Sequence, residues 1–453
     1  EELPVSWPCQ GTSGYDFLGM VNSLFCQPAA EAEFTRIYHA FIGDTTSCEA
    51  LIDRNKRMIV DKHLAGDIDN LAHLLKRISE RYRYASDFTL YGLQMALIEI
   101  MVLFPVYRTY IGRAGASQAD QECIRQIIAQ ARINIPNFRN EMEFIGRFLR
   151  LEFDEHMAAE DKEQWLHFVM RLQQFTGPLR AKGVEDTVFY VYNRLLSLNE
   201  VGAGPLQFGI DLDEFHAFNQ QRASCWPHAM NASATHDTKR GEDARARLNV
   251  LSEMPDEWER HLQEWHEINQ SRKVQTGDRL APENDDEYLL YQTLLGAYPF
   301  DLAEYPAFIE RIKGYLIKAT REAKVHTNWL EPDSAYEDAL LAFAERVMEP
   351  GKDNPFLQSF LPFQRRIQHH GMLNSLSKTL LKLTVPGMPD FYQGTELWDL
   401  SLVDPDNRRP VDFERRGALL KSLQNGAGGN ILQLIAELLS APEGGRPKQF
   451  LIY

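Results

Sequence analysis

The sequence predicts a mainly α-helical chain with some β, in which a few short strands are separated by long helical insertions. Three observations carry that prediction. Apolar residues recur at three- and four-residue steps over most of the chain. Three β-rich runs stand far apart, near 102–110, 231–236 and 381–385. The last two are each followed at once by polar or Gly/Pro-rich residues. Buried strands need partners, so strands this widely spaced point to part of a parallel β/α sheet or barrel whose crossovers are helical.

The elements follow in order. The chain opens on a turn-rich segment, Gly11-Thr12-Ser13-Gly14-Tyr15-Asp16, ahead of an apolar-periodic stretch. From about 31 to 80 the pattern is helical, with Leu64, Ile68, Leu71, Leu75 and Ile78 on one face. A further long helix is predicted to start near Ser86-Asp87, both good N-caps, and to run to about residue 100. Val102–Ile111, bounded by Gly112, reads as a strand. Helix resumes at Ser117, whose partner three residues on, Asp120, completes a capping pattern, and it continues in pieces to about Phe175. Residues 241–380 are again helical, rich in Glu, Arg, Leu and Ala. The final segment, Gln449–Tyr453, reads as a strand. No internal repeat or low-complexity tract is visible.

A chain of 453 residues with a formal net charge of −16 can bury an ample core, and its charge argues against nucleic acid and against an anionic membrane surface. Its five cysteines (Cys9, Cys26, Cys48, Cys123, Cys225) lie far apart, which reads as free thiols in a reducing, cytoplasmic compartment. No run of apolar residues is long enough to span a bilayer. The chain does not open on Met, and Glu1-Glu2-Leu3-Pro4 reads as the interior of a longer protein. No cofactor and no metal constellation is expected: His266-Glu267 lacks the second His of a zinc-protease helix, and His369-His370 is an isolated pair.

Three segments could carry chemistry. The most specific is Ala234-Thr235-His236-Asp237-Thr238-Lys239-Arg240-Gly241, where a short strand ends in His-Asp and passes into a charged helix start. Side chains just past a strand's C-terminal end point into the mouth of a parallel β/α unit. There a His donor beside an anion suits sugar hydroxyls and a developing positive charge. The plainer reading, that Asp237 caps the next helix and His236 bonds locally, is equally open from spacing alone. Around Gly183, Arg180, Lys182, Glu185 and Asp186 crowd together with Phe189 and Tyr190, which suits a sugar; a solvated ion pair capping a helix is the simpler alternative. Pro386–Glu396, with Tyr392, is a Gly/Pro loop after a strand or else a structural turn.

In this order these segments, together with Lys318–Thr327 and Val403–Pro410, resemble the maltooligosyltrehalose synthases of the α-amylase superfamily along nearly the whole chain. The resemblance implies a partial amylase-type (β/α)8 barrel, about strands six to eight, with large helical insertions. The expected organisation has five parts. Residues 1–100 form a turn plus helical insertion, and 101–240 hold barrel segments with helices. Residues 241–380 form a second helical insertion, 381–400 the last barrel strand and loop, and 401–453 the start of the C-terminal region. The implied activity is an intramolecular transglucosylation that turns the reducing-end α-1,4 linkage of a maltooligosaccharide into an α,α-1,1 linkage, through a carboxylate nucleophile and a carboxylic acid/base. By resemblance Asp237 is the transition-state-stabilising carboxylate and His236 contacts the transferred sugar. Lys182 is an acceptor-side group, and Tyr107 and Arg108 line the cleft. Lys239, Arg240, Tyr15, Asp16 and Tyr392 complete the expected glucan-binding set.

The sequence also departs from the family pattern. No G-x-R-x-D segment supplies the nucleophile, and no E-K-I-L stretch carries the acid/base glutamate. The chain therefore reads as a fragment that is inactive alone. The alternatives are another superfamily α-glucan hydrolase or 4-α-glucanotransferase, or a helical binding module without catalysis. Oligomeric state is not legible.

Overall fold

The computed structural model describes residues 3–277, 279–427 and 429–453; the Glu1-Glu2 start read above lies outside the described residues. The chain divides into two compact units, one of Thr46–Val188 with the first seven residues, the other of Pro8–Thr45 with Phe189–Tyr453.

The second unit begins with α1 (Tyr15–Ser23) and α2 (Glu31–Ile42). The first unit is a bundle of α3 (Cys48–His63), α4 (Ala65–Ser79), α5 (Leu90–Leu103), α6 (Gln118–Asn134), α7 (Arg139–Leu149) and α8 (Ala159–Arg180). On α4 the predicted stripe Ile68, Leu71, Leu75 and Ile78 is buried, while Leu64 precedes the helix. The bundle's aromatic centre is Phe148 stacked on Trp165, with ring centroids 3.7 Å apart. Ser117 and Asp120 form the predicted capping box of α6. The helix expected from Ser86-Asp87 starts later, at Leu90, because the Thr89 hydroxyl accepts the Gly92 N–H at 3.0 Å and fixes the cap there.

The run 102–110 is not a strand, contrary to the sequence reading. Helix α5 continues to Leu103 and Pro105 forbids its extension. Lys56 Nζ then caps the helix end, donating to the carbonyls of Val102 at 3.0 Å and Phe104 at 2.7 Å. Burial brings this ammonium down to about 7. Further along, Gln173 on α8 takes the part of a neighbouring strand. Its amide accepts from Ile111 N–H at 2.8 Å and donates to Ile111 C=O at 2.9 Å. At Ile111 the backbone is thus satisfied by one side chain, with no ladder.

In the second unit the chain forms α9 (Leu212–Cys225), the two-residue β1 (Met230–Asn231), α10 (Glu242–Val250) and α11 (Pro255–Asn269). A hairpin of β2 (Val274–Thr276) and β3 (Arg279–Ala281) leads to α12 (Asn284–Ala297), α13 (Tyr305–Ala323), α14 (Ser334–Val347) and α15 (Pro355–Thr384). Then come β4 (Met388–Pro389), α16 (Phe413–Ala427), α17 (Ile431–Ser440) and α18 (Arg446–Ile452). Two sequence expectations change here. Residues 381–384 are the last turn of α15 rather than a strand; the helix stops because Pro386 disfavours helical geometry at Val385, and the strand comes later, as β4. The terminal segment is helical as far as Ile452 rather than a strand, opened by Pro447 in its first turn.

Every residue of α10 is buried, and the helix packs against α12 and α15. Beyond it, Trp258, Trp265, Tyr288 and Tyr291 are each fully buried with their polar atoms satisfied, for example Trp258 Nε1 donating to Tyr288 Oη at 3.1 Å. Close backbone approach fixes the start of the unit: Gly202 lies at φ +80° with the position of a Cβ only 2.3 Å from the Tyr15 carbonyl oxygen. Gly202→Ala is therefore expected to destabilise the unit by at least ~2 kcal/mol, from left-handed strain plus overpacking. A denaturant midpoint unchanged from the parent chain would contradict this.

Candidate functional site

Three passes of chain lie side by side in the second unit. β1 pairs in parallel with β4, with Met230 opposite Met388 and Asn231 opposite Pro389. On the other side Met230 N–H donates to the Thr12 carbonyl at 3.2 Å. Gly14, at φ +96°, lets α1 begin against this edge, since a Cβ there would stand 2.6 Å from Ala232 N. The predicted turn 11–16 is thus the neighbour of the predicted strand at 231.

Beyond β1, which ends at Asn231 rather than running to about 236 as the sequence suggests, residues 232–235 lead to the turn that carries His236 and Asp237. Thr235 organises it: its hydroxyl accepts from Asp237 N–H at 3.1 Å and lies 3.0 Å from Tyr15 Oη, while Thr238 Oγ1 donates to the Thr235 carbonyl at 2.9 Å. His236 and Asp237 are both exposed. Neither the imidazole nor the carboxylate pairs with any described residue. The helix that follows, α10, has Gly241 as its cap with no side-chain bond, so Asp237 is not spent as an N-cap. From the far side Asn407 Nδ2 donates to the His236 carbonyl at 3.0 Å.

Behind the turn stands Glu200, fully buried, a residue that the sequence reading does not single out. Its carboxylate accepts the backbone N–H groups of Lys239 at 2.8 Å, Arg240 at 3.2 Å and Val201 at 2.9 Å, and Arg245 lies 3.5 Å away. Lys239 and Arg240, expected to bind substrate, are themselves buried. Arg240 turns inward because its donors are used there, on the Leu196 carbonyl at 3.2 Å and Tyr315 Oη at 2.7 Å. It anchors the turn and offers its guanidinium to the interior.

Glu242 and Asp243, the next residues, enter a buried charge cluster. Lys448 from α18 reaches Glu242 at 2.5 Å and Asp243 at 2.7 Å, and Lys382 from α15 bonds Ser233 Oγ at 2.7 Å beside Glu242 at 3.6 Å. Ser233 Oγ also donates to Glu242. Burial alone would raise the Glu242 carboxyl, but Lys382 and Lys448 outweigh it and hold it far below the usual range. Asp243 goes the other way, pushed up by burial and by its neighbour Glu242. No signal in the sequence links residues 205 positions apart; only the fold does.

The remaining predicted residues fall in two places. In the second unit, Asp16 accepts from Thr12 Oγ1 at 2.6 Å with Arg222 at 3.9 Å, and half-buried Tyr392 sits on the loop after β4, its carbonyl accepting from Thr395 N–H at 3.0 Å. In the first unit, Tyr107 donates to Glu185 and lies under Arg180, whose guanidinium carbon is 5.1 Å from the ring. Arg108 stacks over Tyr110 at 4.9 Å, and exposed Lys182 pairs with Asp186 at 2.7 Å. The stretch 181–185 is a widened continuation of α8 rather than a loop. Among the described residues no group of three or more His, Cys, Asp or Glu is placed to hold a metal ion, none of the five cysteines forms a disulfide, and no helix is long and apolar enough to cross a membrane.

This mainly helical chain, with a His-Asp turn closing a short parallel strand, is similar to one half of a class of larger carbohydrate-active synthases. The particular enzymes are maltooligosyltrehalose synthases. Two Mycobacterium tuberculosis proteins, each named a putative maltooligosyl trehalose synthase, are 33% identical over 426 residues, covering 94% of this chain and 50% of theirs. The structure of maltooligosyltrehalose synthase from Arthrobacter ramosus superposes with a TM-score of 0.78 at 34% identity, over 94% of this chain and 50% of that one. A DSM5389 glycosyltrehalose synthase superposes at 0.74 with 34% identity, over 100% of this chain and 52% of its own. No family model matches the chain. The chain spans about half the length of the curated relatives it matches.

Proposed function

We propose that this chain is the part of a maltooligosyltrehalose-forming enzyme that supplies the transition-state-stabilising carboxylate and much of the glucan contact. The carrying observation is the His236–Asp237 turn: exposed, unspent on helix capping, and braced from behind by Glu200 at the end of a parallel strand. In this reading the Thr12 pass, β1 and β4 are three neighbouring strands of an amylase-type barrel in a cytoplasmic enzyme. The strand before β1 is then the Gly11–Thr12 pass and not the run at 102–110.

The reaction is a retaining transfer in which glucose released from the reducing end is kept, turned and used as acceptor. Asp237 stabilises the oxocarbenium-like charge and His236 donates to hydroxyls of the transferred ring. Tyr15, hydrogen-bonded to the Thr235 hydroxyl, and Asp16 contact the sugar from α1, and Tyr392 from the loop after β4. Tyr107, Arg108 and Lys182 are carried as further glucan contacts, and Lys239 and Arg240 as positioning residues. The nucleophile and the acid/base are not among these residues, so the 453-residue chain alone is expected to form no non-reducing product from maltopentaose.

The test joins the chain to the half of the Arthrobacter ramosus enzyme that it does not match. The chimaera is expected to give a 1,1-linked, non-reducing oligosaccharide, and Asp237→Asn to lower its kcat by ~10²–10³. Glucose and maltose as the main products would favour a hydrolase instead, and turnover by the isolated chain would overturn the division of labour.

A further inference from the structure

A pocket of about 330 Å³, lined from α2, α11 and the start of α12, opens in the second unit, within the ~300–1,000 Å³ range of small-molecule sites. Its floor is apolar, made by Ile37, Phe41 and Leu262. The His266-Glu267 pair, which lacks the second His of a zinc-protease helix, stands on one wall. The pocket shares no residue with the set assigned to the transfer reaction. We propose that it binds a small organic ammonium ion, a positively charged amine carried on a compact apolar body.

Charge complementarity selects that ligand. The lining holds two carboxylates, Glu259 and Glu267, and no lysine or arginine among the described residues. Glu259 is met from outside the pocket by Arg36 at 2.5 Å. Glu267 is exposed and has no ion-pair partner among the described residues, so the rim keeps one unmatched negative charge. The neighbouring wall is fixed and electrically balanced. His266 Nδ1 lies 2.9 Å from the fully buried carboxylate of Glu287, which also takes Lys273 Nζ at 2.7 Å and the Tyr291 hydroxyl at 2.6 Å. The other ring nitrogen, Nε2, is met by the Gln270 amide at 2.5 Å, so the imidazole is a wall with both nitrogens in use. Phe41 packs against it edge to face with centroids 5.0 Å apart, and Asn284 Nδ2 donates to the Phe41 carbonyl at 2.9 Å. Phe41 therefore offers an ammonium an aromatic surface in a wall that is already ordered. A bare metal ion does not fit: among the described residues no group of three or more His, Cys, Asp or Glu is placed to hold one, and the floor is apolar. An anion would be repelled by Glu267, and a neutral ligand would gain nothing from it.

The experiment is calorimetric titration of the full 453-residue chain with phenethylammonium and with 2-phenylethanol, its neutral analogue. Physiological ionic strength screens the diffuse attraction of any cation to a net charge of −16. The ammonium is expected to bind at one site, at least about fivefold more tightly than the alcohol. Glu267→Gln, at an exposed position, should weaken the ammonium about threefold to fivefold and leave the alcohol unchanged. Ala40→Trp, at an exposed lining position of α2, should fill the pocket and remove binding of both. The Glu267→Gln comparison decides the matter by itself should Ala40→Trp disturb folding. No saturable ammonium binding below about 10 mM overturns the proposal. Equal affinity for ammonium and alcohol, or ammonium binding that Glu267→Gln leaves unchanged, overturns it as well.

Discussion

Replacing Lys448 by Met is expected to destabilise the second unit by about 3–5 kcal/mol, the cost of stripping a buried ion pair of one partner. Lys448 is fully buried, and Asp243 and Glu242 keep its ammonium well above the usual lysine range against the opposing effect of burial. Without it, Glu242 keeps Lys382 at 3.6 Å and Ser233, but Asp243 keeps only the Asp399 N–H at 2.6 Å. Asp243 is the group already pushed upward by burial, so the variant should relieve itself by protonating there. The destabilisation is then smaller at pH 5 than at pH 8. Guanidinium unfolding at both pH values measures it, and a loss under ~1 kcal/mol at pH 8 would mean that the cluster is hydrated and weak. The pair Asp243→Asn with Lys448→Met should recover part of the loss, because neither charge is then left alone. Since Glu242 and Asp243 follow directly on the His236 turn, the same variant is expected to loosen that turn.

Local rules made the helices legible. The α4 stripe and the Ser117–Asp120 box depend only on residues a few positions apart, and both are present as expected. The His-Asp turn was legible for a similar reason: a short apolar run followed by two polar residues marks a strand end wherever the strand pairs. What failed was long-range. The run at 102–110 has strand-like residues, but a strand needs a partner ladder, and at its end the side chain of Gln173, more than sixty residues away, takes the Thr109 hydroxyl and the Ile111 N–H instead. Helix α10 reads as a charged surface helix, Glu-Asp-Ala-Arg-Ala-Arg, yet it is wholly buried because its ions find partners on α15 and α18. For that reason Arg240 was expected at the substrate and is found braced against Leu196 and Tyr315, while Glu200, which does the bracing, drew no notice. Solvation of a charge can be guessed from sequence; its burial with a distant counter-ion cannot.

Asp285 should make the second unit lose stability as pH rises from about 4 to about 8, and Asp285→Asn should abolish that loss. Burial at the first turn of α12, with Asp286 adding, pushes this carboxyl up to about 8, although Tyr38 Oη donates to it at 2.9 Å and Asn193 Nδ2 at 2.8 Å. The unfolded chain releases the proton near pH 4 while the folded chain keeps it, so over that window the native state binds more protons. The stabilisation is complete below the unfolded value and gone above the folded one, a swing on the order of 5 kcal/mol. Asparagine carries no charge to bury. Asn193 Oδ1, buried without a partner, could accept from the new amide after a turn of its own side chain. The stability of the variant relative to the parent should therefore rise steadily between pH 4 and 8 and then level, as read by urea midpoints; parallel curves would show that the carboxyl ionises normally. The consequence reaches the candidate site through one stretch of chain. Asn193 opens the segment whose Leu196 carbonyl receives Arg240 and whose Glu200 holds the backbone of the turn, so ionising Asp285 loosens the brace behind His236 and Asp237.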